Sequence, residues 1–134
     1  DEIIKKLIGK NFTDVDKKVR PLKIQDFLIV APYNAQVNFL LARLPEGTRC
    51  GTIDRFQGQQ APITIISMTS SDLESLPRNK SFFFNSNRLN VAISRAQCLS
   101  IILINPKLLD SPPKTHEEFK LMNNFQKLLK FNIN

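Results

Sequence analysis

The stretch FLIVAPYNAQVNFLLARLP, Phe27 to Pro45, decides the fold. Its first five residues, Phe27 to Ala31, are an unbroken apolar run of strand length closed by Pro32, the pattern of a strand buried on both faces. After the turn residues Pro32, Tyr33 and Asn34, the apolar positions Val37, Leu40, Leu41 and Leu44 recur at helical spacing until Pro45 ends the pattern. A buried strand, a turn and an amphipathic helix in succession are the repeating unit of a parallel sheet.

The alternation continues outward from this unit. Arg49 to Ile53, Ile63 to Met68 and Cys98 to Ile104 read as strands, short and rich in branched residues. Leu89, Ala92, Ile93 and Ala96 share one helical face, with Ser86 or Asn87 as N-cap. Thr115 and Glu118 are spaced as a capping box ahead of Phe119, Met122, Phe125 and Leu129, which predicts a final helix covering the sheet. At the other end, Ile3, Ile4, Leu7 and Ile8 predict a helix that stops near Gly9, and the polar stretch Asn11 to Gln25, with Pro21, suits a linker. Residues 1–25 are therefore read as N-terminal helix and linker and residues 26–134 as the main lobe. The polar segment Thr69 to Lys80, followed by Phe82, Phe83 and Phe84, is expected to be a surface insertion. The predicted fold class is α/β, a mostly parallel sheet with helices on both faces. From Ile53 to Ile63 the chain is too short for an ordinary crossover of about a dozen residues, so those two strands are not expected to be neighbours.

Composition narrows the function classes. A chain of 134 residues, 42% hydrophobic and 23% charged, suits one globular core. There is no repeat, no apolar run of membrane-spanning length and no visible export signal, so no membrane partner is expected. His116 is the lone histidine, and Cys50 and Cys98 form no C-x-x-C pair, so no metal site is expected. Each cysteine flanks an apolar run, where a free thiol behaves as a small buried hydrophobe; a reduced, cytoplasmic protein is the expectation. The net charge of +7, from 19 Lys and Arg against 12 Asp and Glu, favours a polyanionic partner, although a merely solvated basic surface has the same composition.

In open parallel sheets ligands bind beyond the carboxyl ends of the strands. Three segments there are polar where structure alone does not demand it: Pro32 to Gln36, Thr52 to Gln60, and Asn87 to Ala96. Arg88 and Arg95, seven apart on the predicted helix, would project from one side about 10 Å apart along the axis. Arginine suits phosphate because its planar guanidinium offers paired donors and keeps its charge. Gly58 permits a backbone approach that a side chain would block, and Gln57, Gln59 and Gln60 supply amides. Taken singly, the glycine is as well explained by a turn, Asp54 by an Asx-turn, and the arginines by flanking an apolar stripe.

In order and spacing the three segments resemble the second-lobe motifs of superfamily 1B helicases. Val30 to Gln36 is similar to motif IV, Gly51 to Gln59 to motif V and Asn87 to Ala96 to motif VI, and the resemblance covers about Asp26 to Pro106. The chain also resembles bacterial proteins that fuse a RecB-like nuclease to such a helicase. The resemblance implies the RecA-like, P-loop NTPase fold of a C-terminal helicase lobe. It implies Arg95 as arginine finger at the ATP γ-phosphate, with Arg88, Gln57, Gly58 and Gln60 in the nucleotide region. Thr52 and the turn at Pro32, Tyr33 and Asn34 would contact the nucleic-acid backbone. Gln60 departs from the family's usual Glu; a neutral amide still hydrogen-bonds but supplies no negative charge.

No G-x-x-x-x-G-K-[ST] loop or associated carboxylate is present to cradle phosphates and Mg²⁺. The resemblance therefore implies ATP and Mg²⁺ bound jointly with a first RecA-like lobe upstream, and a single-stranded or duplex partner, DNA favoured. The other reading is a non-catalytic nucleic-acid-binding or protein-docking module that retains the motifs.

Overall fold

The computed structural model describes residues 1–68, 86–105, 112–113 and 115–130. Helix α1 (Glu2–Leu7) leads into a hairpin of β1 (Asn11–Thr13) and β2 (Val19–Pro21). Strand β3 (Phe27–Val30), helix α2 (Asn34–Leu41) and strand β4 (Arg49–Gly51) follow. A short 3-10 helix, Ile53–Phe56, leads to β5 (Ala61–Met68). Helix α3 (Ser86–Ile93), strand β6 (Ala96–Ile104) and helix α4 (His116–Lys130) complete the described chain. The expected surface insertion, Thr69 to Phe84, lies outside the described residues.

Four strands form one parallel sheet in the order β4-β3-β5-β6. Thus β4 and β5 are separated by β3, as the short Ile53 to Ile63 connection required. The two central strands are buried along their whole length, which explains why their sequences are apolar on both faces.

Residue parity assigns the faces. Leu28, Val30, Ile66, Met68, Ile102 and Ile104 point to one side, where they pack with Ile53, Phe56, Leu89 and Ala92, and with Met122 and Phe125 of α4. Phe27, Ile29, Ala31, Ile63, Ile65, Ile101 and Leu103 point to the other, against Val37, Leu40 and Leu44 and against Ile4, Phe12 and Leu22. Helices therefore cover both faces, and the fold is the expected α/β class. Phe27 and Leu28 are completely buried, worth about 2–3 kcal/mol each by the apolar area they remove from water.

Several local expectations change. Asn11 to Gln25 is not a simple linker: Phe12 and Arg20 pair across the hairpin, with the Arg20 guanidinium 4.5 Å from the Phe12 ring centre. Arg20 also makes two hydrogen bonds to the Asp26 carboxylate, at 2.6 and 2.8 Å, and the Lys23 N–H donates to the same group at 2.7 Å. These contacts tie the hairpin to the start of β3. The guanidinium bonds hold the Asp26 carboxyl below its ordinary range against the opposing effect of burial. Arg49 to Ile53 is strand only to Gly51. The Thr115 hydroxyl does cap α4, accepting from the Glu118 N–H at 3.1 Å. Met122 and Phe125 are buried, but Phe119 is 52% exposed. Cys50 is buried and its thiol pKa raised by burial, whereas Cys98, on β6 at one end of the described sheet, is exposed, contrary to the expectation of a buried thiol. No described helix is long and apolar enough to cross a membrane.

Candidate nucleotide and nucleic-acid site

The 3-10 helix after β4 and helix α3 before β6 pack on the same face of the sheet, Ile53 and Phe56 of the first and Leu89 and Ala92 of the second reaching one apolar layer. Between them lies an open cleft of about 270 Å³ lined by Ile53, Asp54, Gln57, Asn87, Arg88, Val91 and Arg95. Asp54 and Arg88 thus become neighbours through the strand order and the side of the sheet on which their elements pack.

Arg88 and Arg95 do reach one cleft, but not as two positions on one helix. Helix α3 ends at Ile93. Ser94 closes it with an N–H to Asn90 O at 2.9 Å and a hydroxyl to Val91 O at 2.9 Å, while the Arg95 N–H turns tighter, to Ala92 O at 3.3 Å. The Arg95 carbonyl accepts from the Ala61 N–H at 3.0 Å, and Ala96 already pairs with Ala61 in the sheet. The sheet ladder claims the residues that helical periodicity had placed on the helix. Arg95 Nε is buried with no hydrogen-bond partner, an orphan donor at the cleft.

Asp54, which sequence reasoning left as a turn residue, is the group it missed. Its carboxylate lies 3.9 Å from Arg88 Nη1, with 78% of the side chain exposed. So open an ion pair contributes little to stability. Its consequence is chemical: the Asp54 carboxylate places an acceptor oxygen beside the Arg88 guanidinium at the cleft. The aspartate within Thr52-Ile53-Asp54-Arg55 was the available signal.

Gln57 lines the cleft, but Gly58 and Gln60 do not. Gly58 has φ +77°, with nothing within 4 Å of the position a Cβ would take, so its backbone is open to approach. Gln60 is exposed, and its carbonyl accepts from Arg49 Nη1 at 3.5 Å. Gly51 is glycine for a different reason. A Cβ there would lie 2.7 Å from Arg55 Cδ and 3.1 Å from the Phe56 ring, so the 3-10 helix bearing Ile53 to Phe56 folds back over the strand end more closely than a side chain here would allow without a shift.

The candidate nucleic-acid residues gather at the carboxyl edge of the sheet. Ala31 N–H donates to Gly51 O at 3.1 Å, placing Pro32, Tyr33 and Asn34 beside Thr52. Thr52 precedes the 3-10 helix without capping it. Tyr33 packs partly buried against the core, and burial raises its phenol pKa; Asn34 is exposed at the start of α2. The Gln36 side-chain amide donates to Ser67 Oγ at 2.9 Å, pinning the start of α2 to the end of β5. Pro32 and Arg88 also share a small apolar pocket of about 50 Å³ with Val30, Ile53, Met68, Leu89 and others. Arg88 therefore stands between the edge and the cleft.

The parallel sheet covered on both faces is an α/β fold consistent with a RecA-like domain. The chain belongs to the AAA domain family, whose description matches residues 2–107. It is 38% identical over 84 residues to an uncharacterized ATP-dependent helicase of Caenorhabditis elegans, covering 62% of this chain and 5% of that protein. It is 39% identical over 90 residues to a probable RNA helicase of Drosophila melanogaster, covering 60% and 8%. An RNA helicase of Mus musculus is 34% identical over 96 residues, covering 66% and 8%. The chain thus spans 5 to 8% of the length of these relatives.

Proposed function

We propose that this chain is the second RecA-like lobe of an ATP-dependent helicase, supplying an arginine finger and part of a nucleic-acid track to a first lobe upstream. The observation that carries the reading is the meeting of Arg88, Arg95 and Gln57 in one cleft on the motif-bearing face. The cleft fits half a nucleotide site. At about 270 Å³ it falls just below the roughly 300 Å³ at which small-ligand pockets begin, and its chemistry is that of a phosphate seat, not an enclosed nucleoside pocket.

ATP bound between the lobes supplies a transferable γ-phosphoryl group, and Mg²⁺ would be held by the first lobe's carboxylate. In this chain Arg95, with an unsatisfied Nε, and Arg88 would hold the phosphates. Gln57 would add an amide and the open Gly58 backbone a close approach. Negative charge spreads over the phosphoryl oxygens during transfer, so a fixed guanidinium lowers the barrier more than it tightens ground-state binding. Pro32, Tyr33, Asn34 and Thr52 would meet the strand's backbone through main-chain groups and the Thr52 hydroxyl, since the Tyr33 ring packs into the core.

Relatives named RNA helicases make RNA as well as the favoured DNA a substrate to be assayed. In the gene product that carries both lobes, Arg95→Ala should lower ATP turnover on the order of 10³-fold. Its strand binding without nucleotide should be nearly unchanged. Arg95→Lys should restore little, because lysine lacks the planar fork. Turnover at the parental rate in folded Arg95→Ala would refute the assignment and favour a non-catalytic docking module.

A further inference from the structure

The cleft residue Gln57 stands in an exposed run, Gln57 to Gln60, between the buried Phe56 and Ala61. Apolar packing therefore does not hold this turn, and at Gly58, with φ +77°, nothing lies within 4 Å of the position a Cβ would take. Its place against the sheet is left to hydrogen bonds. Two from the backbone close it on the preceding 3-10 helix, Gln57 N–H to Asp54 O at 3.4 Å and Gln59 N–H to Phe56 O at 3.0 Å. At its far end the Ala61 N–H donates to Arg95 O at 3.0 Å, so the same turn leads from one cleft residue to another.

Side-chain hydrogen bonds to the turn converge on Arg49, the first residue of β4, which none of the three motif-like segments contains. Arg49 Nη2 donates to Gln59 Oε1 at 2.8 Å, while Nη1 reaches the carbonyls of Gln60 at 3.5 Å and Gln25 at 3.4 Å. The Gln59 bond is the strong one, since donor–acceptor distances beyond about 3.2 Å are outside the usual range. It also fixes the amide: a guanidinium has no acceptor, so Gln59 turns its oxygen to Arg49 and its Nε2 to Arg55 O, 3.5 Å away. Among the described residues Arg49 makes no ion pair, and its full charge acts on neutral oxygens, which strengthens each bond. An arginine at the start of a strand is ordinarily a solvated side chain lying along the sheet. Here its planar fork joins the approach to β3, the start of β4 and the turn before β5.

We infer that Arg49 is a positioning residue: through Gln59 it fixes the turn that presents Gln57 and the open Gly58 backbone to the cleft. The inference rests on the phosphate-site reading of that cleft, and it adds a residue that acts through the turn and not on the phosphate itself.

The test is strand-stimulated ATP turnover in the gene product that carries both lobes, for Arg49→Ala, Gln59→Ala and Gln57→Ala, singly and in pairs, with Arg95→Ala alongside. Losing one charge-assisted hydrogen bond corresponds to about a tenfold change, so Arg49→Ala and Gln59→Ala should each lower kcat/KM for ATP about 10-fold. Their pair should also lose about 10-fold and not about 100-fold, because both changes cut the same bond. In the Gln57→Ala background, Arg49→Ala should cost less than about 2-fold more, whereas an arginine that merely supported the fold would show its full loss in every background. Thermal unfolding checks that folded proteins are compared, and if Arg49→Ala does not fold, Gln59→Ala, at an exposed side chain, carries the test with Gln57→Ala. Parental kcat/KM in either folded single variant, or full multiplication of the losses, would overturn the inference. A collapse of turnover in Arg95→Ala would then leave the helicase reading standing; parental turnover in Arg95→Ala would remove that reading and this inference with it.

Discussion

Replacing Gly51 by alanine tests how the cleft is held in place. The added Cβ would lie 2.7 Å from Arg55 Cδ and 3.1 Å from two Phe56 ring carbons, against an optimum of about 3.5–4.0 Å for carbon pairs. The Arg55 contact is inexpensive, because that side chain is exposed and can swing away. The Phe56 ring cannot, since it is 4% exposed and packed with Leu28, Val30 and Ala92. The 3-10 helix must therefore lift, an overpacking cost of about 1–3 kcal/mol, or a fall in thermal midpoint of roughly 3–4 °C per kcal/mol at this size. Because that helix carries Ile53 and Asp54 and leads into Gln57, the same shift should loosen the cleft. Gly58→Ala is the control: nothing lies within 4 Å of its added Cβ, so only the φ of +77° is penalised, at about 1–2 kcal/mol. Thermal unfolding of both variants, each alone and combined with Phe56→Leu, separates the mechanisms. Phe56→Leu should rescue part of the Gly51→Ala loss and none of the Gly58→Ala loss. Parental stability in Gly51→Ala, or no coupling to Phe56, would refute the close-approach reasoning.

Three further outcomes are expected. The Arg20 hydrogen bonds depress the Asp26 pKa, so the stability they confer is complete above about pH 4 and lost as pH falls through the lower folded value. Asp26→Asn should flatten the urea midpoint in that acid range, and a variant that tracks the parent down to pH 2 would exclude the pair as the cause. If the proposed function holds, the isolated chain would offer only one side of the phosphate site and should show no measurable ATP turnover; turnover persisting through repeated purification would contradict it. Strand binding by the parent chain should fall steeply between 50 and 200 mM salt on the counterion-release scale, and an affinity indifferent to salt would count against phosphate contacts altogether.

Much of the architecture was legible in the sequence because its causes are local or topological. Strands buried on both faces are predominantly apolar, so Phe27 to Ala31 and, despite Thr64 and Ser67, Ile63 to Met68 announced the sheet centre. A connection too short to join adjacent parallel strands announced that β4 and β5 are not neighbours. The hairpin was hidden because only Phe12 and Leu22 of its residues are buried, and two apolar positions make no period. Arg95 was assigned to a helix because periodicity runs on to Ala96, whereas pairing between Ala61 and Ala96 stops the helix earlier. The resemblance had already grouped Gln57, Arg88 and Arg95, but the proximity of Asp54 to Arg88 and the placement of the hairpin on the opposite face followed only from the tertiary structure. Side-chain periodicity reports which residues turn inward along one element. Which distant elements face each other is decided by strand order and by the side of the sheet on which each element packs, and here the 3-10 helix after β4 and helix α3 pack on one side while α2, after Pro32 to Gln36, packs on the other.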